Sequence, residues 1–543
     1  MPAIITDQYR ILNAETFIDS FVGIGTTGNN NYYTFLGHPD PTNDSDFSKQ
    51  IGYGVTTWRS DVPDPVDSFK EENLYHDTML FLKKITPNDV RRIVPRIDWE
   101  TGTSYDMYRN NYNKDNKTPI TEETSLYAGS YYVVNSEFKV YLCINNGTDQ
   151  DNQSGRKSEY EPNFIDTIPQ PAGDDGYLWK YLFTISPSDI VKFVTPTYIP
   201  LPVKWGDTTT EDIKNAAVDG KIETVLLKST GSGYSSKPIG GASGTDVAKF
   251  SINVPIIGDG EGGLVEISVD GGVITSMQIA NGGTGYTYGL IRFEEGVTDS
   301  ITGLEVTAGS GATFEVVIPP KGGHGADIYR ELGGFRVMVH SRFDNNVNDV
   351  PDYIINNDFS RVGIIKNPVQ FGGTDLLNST TATNLSALKL KPADGSGIST
   401  SSVDYIKNSK ITQTISTAGI GSTAAALVAS WDRDTGILKY YQPVTISSRS
   451  EYSYKKLDFV GLNTAITGGV GGNLVVDVGF GATTPRSSIT LSDKNIDLGQ
   501  SFVKGKANPD VKKYSGDIIY IDNRAPITRS TSQKEEVKIV IEF

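Results

Sequence analysis

Apolar positions along this chain follow two rhythms, and each predicts its own elements. Near the start, Phe17 and Phe21, like Ile18 and Val22, stand four residues apart, so 14–22 should carry one apolar helical stripe. Gly23 and Gly25 end it, and Tyr32-Tyr33-Thr34-Phe35-Leu36 reads as a strand. A second helix is expected over 71–84. Leu74, Thr78 and Phe81 would share its face, and Glu71 and Glu72 would sit where the helix dipole favours negative charge. Prolines such as Pro95, Pro169, Pro187 and Pro200 then cut the chain into short strands and loops. Further strands are expected over 334–340, 361–368, 437–447 and 473–480. At the C-terminus Val537, Ile539, Ile541 and Phe543 alternate with Lys538 and Glu542. That is the pattern of a half-buried strand, softened only by Val540.

Between 207 and 320 the residues turn to Gly, Thr, Ser and Val, and the chain repeats itself. Residues 222–234 end in Thr230-Gly231-Ser232-Gly233-Tyr234, and 274–286 end in Gly282-Gly283-Thr284-Gly285-Tyr286, an offset of 52. Gly262-Gly263-Leu264-Val265-Glu266-Ile267 is echoed by Gly311-Ala312-Thr313-Phe314-Glu315-Val316. Alternating strands closed by glycine turns, with a tyrosine over each corner, describe a small all-β module. Two copies are too few for a solenoid, so a compact sandwich or barrel-like insertion fits better. From 375 to 430 Ser, Thr and Ala dominate, which suggests exposed loops or a thin appendage.

With 543 residues the chain exceeds one hydrophobic core and should form three or four domains. The 56 glycines, 26 prolines, 28 tyrosines and 21 phenylalanines favour strands joined by turns. The expected class is mainly β with a few short helices: a multidomain β-sandwich architecture with an additional inserted all-β module. A net charge of −16 removes the basic footprint of nucleic-acid binding. The single cysteine, Cys143, lies in a strand-like run and should be a buried, inert thiol. The segment from Met1 to Asp7 lacks the basic start and apolar core of a signal peptide, and no stretch reaches the ~20 apolar residues of a membrane span. A soluble chain with no membrane partner is the expectation.

Candidate chemistry is thin. Gly23-Ile24-Gly25-Thr26-Thr27-Gly28 fits the spacing of a dinucleotide fingerprint, but that mechanism needs a strand before it and a helix after it. Here a helix precedes it and Asn29-Asn30-Asn31 follows, so helix termination and a turn are the better reading. Of the four histidines, His38, His76, His324 and His340, none neighbours a nucleophile motif or has metal-ligand spacing. His340 ends a strand and reads as packed, whereas His324, among Gly322, Gly323 and Gly325, looks the most exposed. Asp149-Gln150-Asp151-Asn152-Gln153-Ser154-Gly155 resembles a calcium loop, yet position six is Ser154 and position twelve is Tyr160, which forfeits the bidentate carboxylate. Tyr452-Ser453-Tyr454-Lys455-Lys456 is a basic-aromatic run too short to define a nucleic-acid surface. The expectation is no enzyme, with no catalytic, cofactor-binding or metal residues. Two facing carboxylates on a β scaffold, as in a carbohydrate-active enzyme, stay open.

Blocks toward both ends carry a more specific signal. The longest is Tyr514-Ser515-Gly516-Asp517-Ile518-Ile519-Tyr520-Ile521-Asp522-Asn523-Arg524-Ala525-Pro526-Ile527, continued by Gln533-Lys534-Glu535-Glu536-Val537-Lys538-Ile539 and the terminal Phe543. Pro95-Arg96-Ile97-Asp98-Trp99 and Gly173-Asp174-Asp175-Gly176-Tyr177-Leu178-Trp179-Lys180-Tyr181-Leu182-Phe183 are others. With Tyr9-Arg10 and the 359–368 run, these blocks and their order resemble the gene-eight baseplate wedge protein family of T-even-type contractile-tail phages. The resemblance covers 1–205, 321–370 and 505–543, a wedge core whose C-terminal strands should pair with the N-terminal part. It leaves 206–320 and 371–504 as insertions. It implies a virion protein of the tail baseplate, assembled in the host cytoplasm, that bridges other baseplate wedge proteins as a homodimer without catalytic residues. The alternative is a fibre-attachment or receptor-binding tail protein, although long fibre proteins show many repeats or coiled-coil heptads and this chain shows neither.

Overall fold

The computed structural model describes residues 3–22, 30–38, 62–240, 246–344, 358–415, 422–442, 458–461, 464–528 and 534–543. The chain is mainly β, with few short helices and several separate sheets. Contacts divide it into two units, one of residues 1–17, 91–338 and 540–543, the other of 18–90 and 339–539. Neither unit coincides with a single compositional stretch, 207–320 or 375–430. Composition records turn chemistry, whereas a unit is defined by which strands share a core.

In the first unit, the strands Tyr132–Val134, Lys139–Asn146 and Tyr177–Thr184 form a three-stranded sheet whose side chains fill the main core. Long irregular segments wrap it, and buried tyrosines satisfy their carbonyls. Tyr131 donates to Glu331 O (2.7 Å), Tyr132 to Pro95 O (2.6 Å), Tyr141 to Phe164 O (2.7 Å) and Tyr177 to Arg156 O (2.7 Å). Each ring adds apolar area to the core while its hydroxyl pins a neighbouring segment, a helix end at Glu331, a strand end at Pro95 and loops at Phe164 and Arg156. The helix Asp7–Val22 begins well before the expected 14. The C-terminus docks against it: Arg10 donates to the carbonyl of Phe543, pairs with Glu542 at 2.5 Å and lies 3.8 Å above the Phe335 ring. One four-stranded sheet of the chain has the order Glu535–Glu542, Arg336–Phe343, Val90–Pro95, Tyr198–Pro200. The C-terminal strand therefore reaches the N-terminal part through an intermediate strand.

The Gly-rich stretch of this unit builds two three-stranded sheets around one core. Phe250–Pro255, Glu261–Asp270 and Val273–Thr284 make the first, and Val225–Pro238, Leu304–Val316 and Thr298–Asp299 the second. Ile252, Val254, Val265, Ile267 and Val269 alternate inward, as a one-face-buried strand requires. The sequence repeat is a structural one. Tyr234 and Tyr286 are both buried, and Gly231, Gly233, Gly283 and Gly285 share a φ of +60° to +77°, which a side chain would oppose. Tyr234 N bonds Gly272 O and Tyr286 N bonds Gly220 O. The Tyr234 hydroxyl accepts from Ala312 N and donates to Phe293 O; that of Tyr286 accepts from Gly263 N and donates to Ile256 O. Ala312 and Gly263 are equivalent positions of the echoed motif. The copies are interleaved, since Val225–Pro238 pairs with Leu304–Val316 and Val273–Thr284 pairs with Glu261–Asp270.

The second unit contains a five-stranded sheet in the order Thr381–Thr383, Met79–Ile85, Tyr32–Gly37, Asp358–Lys366, Asp517–Thr528. Every residue of Tyr32–Gly37 is buried. The expected helix over 71–84 is corrected here: the helix runs Phe69–Thr78 and the chain then becomes the strand Met79–Ile85. Met79, Leu80, Phe81 and Leu82 are all buried. A helix buries one stripe, whereas an interior strand buries both faces of such an apolar run. The stretch 375–430 is also not a loop appendage. It supplies Ser386–Lys391, Lys410–Ile415 and Ser422–Asp432 to a six-stranded sheet with its own core. Ala424, Ala426 and Val428 are buried there, so its small residues fit a packed face. Only Ile437–Tyr441 of the expected 437–447 strand and Val475–Val476 of 473–480 are extended among the described residues.

Candidate functional site

Among the described residues, those singled out as chemically capable sit in packing and turn contacts. His324 is the clearest correction. It is buried, not exposed, with Nδ1 2.6 Å from Glu331 Oε1 and its ring edge-on to Tyr108. Glu331 Oε2 accepts from Gly325 N, and Trp205 Nε1 donates to Gly325 O. The Gly322–Gly325 turn, three of whose glycines have φ near +90°, is thus tied to the helix Ile328–Glu331. The turn lets His324 point inward, and its flanking glycines had suggested the opposite.

In the second unit, His340 is packed with Nε2 2.7 Å from Glu536. His38 is fully buried and stacks on Tyr441 at 4.8 Å. Burial, aided by the Lys407 charge, lowers its pKa to about 3. His76, also buried, is lowered to about 4, chiefly by desolvation. Cys143 lies in the first unit's core, and burial pushes its thiol well above the ordinary range, away from the reactive thiolate. In the calcium-like loop, Asp149 Oδ1 accepts from Asp151 N and Asn152 N, and Oδ2 pairs with Arg156 at 2.6 Å, so its carboxylate closes a turn. Among the described residues no three His, Cys, Asp or Glu side chains gather as a metal would need. Gly23–Gly28 and Tyr452–Lys456 lie outside the described residues; the helix Asp7–Val22 does directly precede the former.

One feature of the first unit had no signature in the sequence. A solvent-open cleft of about 570 Å³ separates the Gly-rich module from the three-stranded core. One wall is 221–225, the other 277–282 of the strand Val273–Thr284, with Asn145, Ile168 and Leu178 between them. Glu223 closes it on one side. Its Oε1 lies 3.2 Å from Lys180 Nζ, and its Oε2 is buried without a hydrogen-bond partner. These residues come from separate segments spread over more than a hundred positions, from Asn145 to Gly282, so no local spacing marks the site.

Together these features define a mainly β chain, assembled from several sheets, in which the described histidines and the lone thiol serve packing. No described helix is long and apolar enough to cross a membrane. No protein-family model matches the chain. It is similar to the baseplate wedge protein gp8 of Enterobacteria phage T4, with 26% identity over 223 residues. The similarity is distant and partial, covering 39% of this chain and 63% of that protein.

Proposed function

We propose that this chain is a structural, non-enzymatic component of a phage tail baseplate wedge, where it bridges other wedge proteins during assembly and in the virion. The similarity to gp8 carries this reading. Two features support it: the end blocks that resemble the wedge family, and the burial of all four histidines and Cys143 in packing contacts. In this reading 1–205, 321–370 and 505–543 are the wedge core, and 206–320 and 371–504 are additional length. The protein acts as a homodimer in each wedge of a contractile tail, assembled in the host cytoplasm, and needs no cofactor or metal. A bridge of this kind works through extended, partly polar interfaces.

The test is a density map of the assembled virion together with sedimentation of the isolated protein. The expected results are density for this chain in every baseplate sector and a dimer mass in solution. Absence from virions would overturn the reading. Recovery only with the tail fibres would establish the fibre-attachment or receptor-binding alternative instead.

A further inference from the structure

Six consecutive residues of Val273–Thr284, Met277 to Gly282, line the cleft of the first unit. Side chains of a strand point alternately to opposite faces. Such an unbroken run can line one cleft only if the cleft lies along the strand's edge. The sheet order agrees, since among the described residues Val273–Thr284 is terminal and pairs with Glu261–Asp270 alone. Its other edge begins to pair with the opposite wall, where Ile222 N donates to Gly282 O at 2.9 Å. Beyond that rung the described residues show no backbone bonds from 277–281 across the cleft. The register passes from Leu264 opposite Asn281 to Val265 opposite Ile279, so Ala280 is bulged and has no partner even on the paired side. The cleft therefore presents about 17 Å of unpaired strand edge, 277–281, at 3.3–3.4 Å per residue. Half-buried Met277 and Ile279 offer apolar contacts beside it, and the buried Glu223 Oε2 is an acceptor awaiting a donor.

We propose that this cleft is a docking groove for an extended segment of a partner protein, which adds as a further strand along the free edge of Val273–Thr284. Main-chain hydrogen bonds would supply the attachment, and alternate side chains would enter the apolar wall. The occupant's chemistry follows from the lining. It alternates apolar residues with polar ones and places a hydrogen-bond donor, lysine or an amide, opposite Glu223. A small molecule fits the lining less well, because the polar groups offered form a line along a backbone and do not converge on a point. The inference stands on the cleft geometry and does not depend on the baseplate assignment.

The test uses the full chain labelled with 13C at the methionine methyls, five signals in all, with Met277 assigned through Met277→Leu. The probe is a capped peptide of about six alternating valines and lysines, long enough to match the edge. Its two controls are the same peptide N-methylated along one edge and a valine–glutamate peptide. The Met277 signal is expected to shift and saturate with the first peptide. Affinity should fall about tenfold with either control, where one hydrogen-bonding edge or the donor to Glu223 is missing. Ala280→Trp, at an exposed position, should fill the groove and weaken binding by a similar factor while leaving the thermal midpoint near that of the parent. A Met277 signal that stays still up to the solubility limit would overturn the proposal. So would equal binding of the N-methylated peptide, or full binding to an Ala280→Trp chain that remains folded. Equal binding of the valine–glutamate peptide would overturn the role given to Glu223.

Discussion

Tyr234 and Tyr286 make the same three kinds of bond in two different corners. Each backbone N–H goes to a glycine carbonyl of the other copy, and each hydroxyl accepts from one amide and donates to one carbonyl. Removing either hydroxyl strands an amide, buried at Gly263 and part-buried at Ala312, which costs about 1–3 kcal/mol. Tyr234→Phe and Tyr286→Phe should therefore destabilise the protein by similar amounts in urea unfolding, and a large inequality would show that the corners are not equivalent. Space around the rings is as restricted as the bonding. A Cβ on Gly309 would come 2.0 Å from the Tyr234 ring, so Gly309→Ala should be worse than either hydroxyl deletion. The histidines make a second residue-scale prediction. His38 and His76 are held neutral, with pKa values lowered from 6.5 to about 3 and about 4. Below pH 6.5 the unfolded chain takes up protons that the folded one refuses. Stability is complete above pH 6.5 and falls as the pH drops toward 4, by up to about 1.4 kcal/mol per pH unit for each histidine. Urea midpoints between pH 7 and 4.5 should decline, and replacing His76 with a neutral residue of similar shape should flatten part of that slope.

At the scale of elements, strict alternation was legible from sequence, whereas continuous apolarity was read correctly at Tyr32–Leu36 and wrongly at 79–82. The strand around Val265 and Ile267 and the repeat could be read from local spacing, because one face is buried more deeply than the other; the C-terminal strand was read the same way, although Val540 packs against a core as Ile539 is buried. The 79–82 run was misread because four apolar residues in a row fit a helix or an interior strand equally well. Leu80 separates the two readings. On a helix over 71–84 it would face away from Leu74, Thr78 and Phe81, yet in the strand Met79–Ile85 it is 1% exposed. Leu80→Ala should accordingly cost about 2–5 kcal/mol, whereas the helical reading expects almost no change. Equilibrium denaturation decides between them. Alanine misled in the opposite direction across 375–430, where its low strand preference hid the fact that Ala424 and Ala426 fill the inner face of a sheet.

For the whole molecule, chain order and spatial order part company. The cleft joins Asn145, Leu178, Glu223 and Ile279, each in a segment that looks unremarkable alone, so only the fold could disclose it. The same separation explains why composition located the Gly-rich module without locating the two contact units. That module enters and leaves through paired strands, with Val225 opposite Val316 and Leu226 opposite Glu315. To the rest of its unit, everything between is a detour with almost no net displacement. Closing such a gap with a short turn costs little loop entropy. Replacing 231–311 with an Asn-Gly turn should therefore leave the core around Trp179 folded, with the tryptophan bands of its near-ultraviolet dichroism retained and a lower midpoint, because Ile222 loses cover. Loss of that dichroism would show that the core needs the module. If the core survives, the site is a socket: chain length there is uncoupled from the geometry of the unit, and other folds with adjacent ends could be seated in the same place.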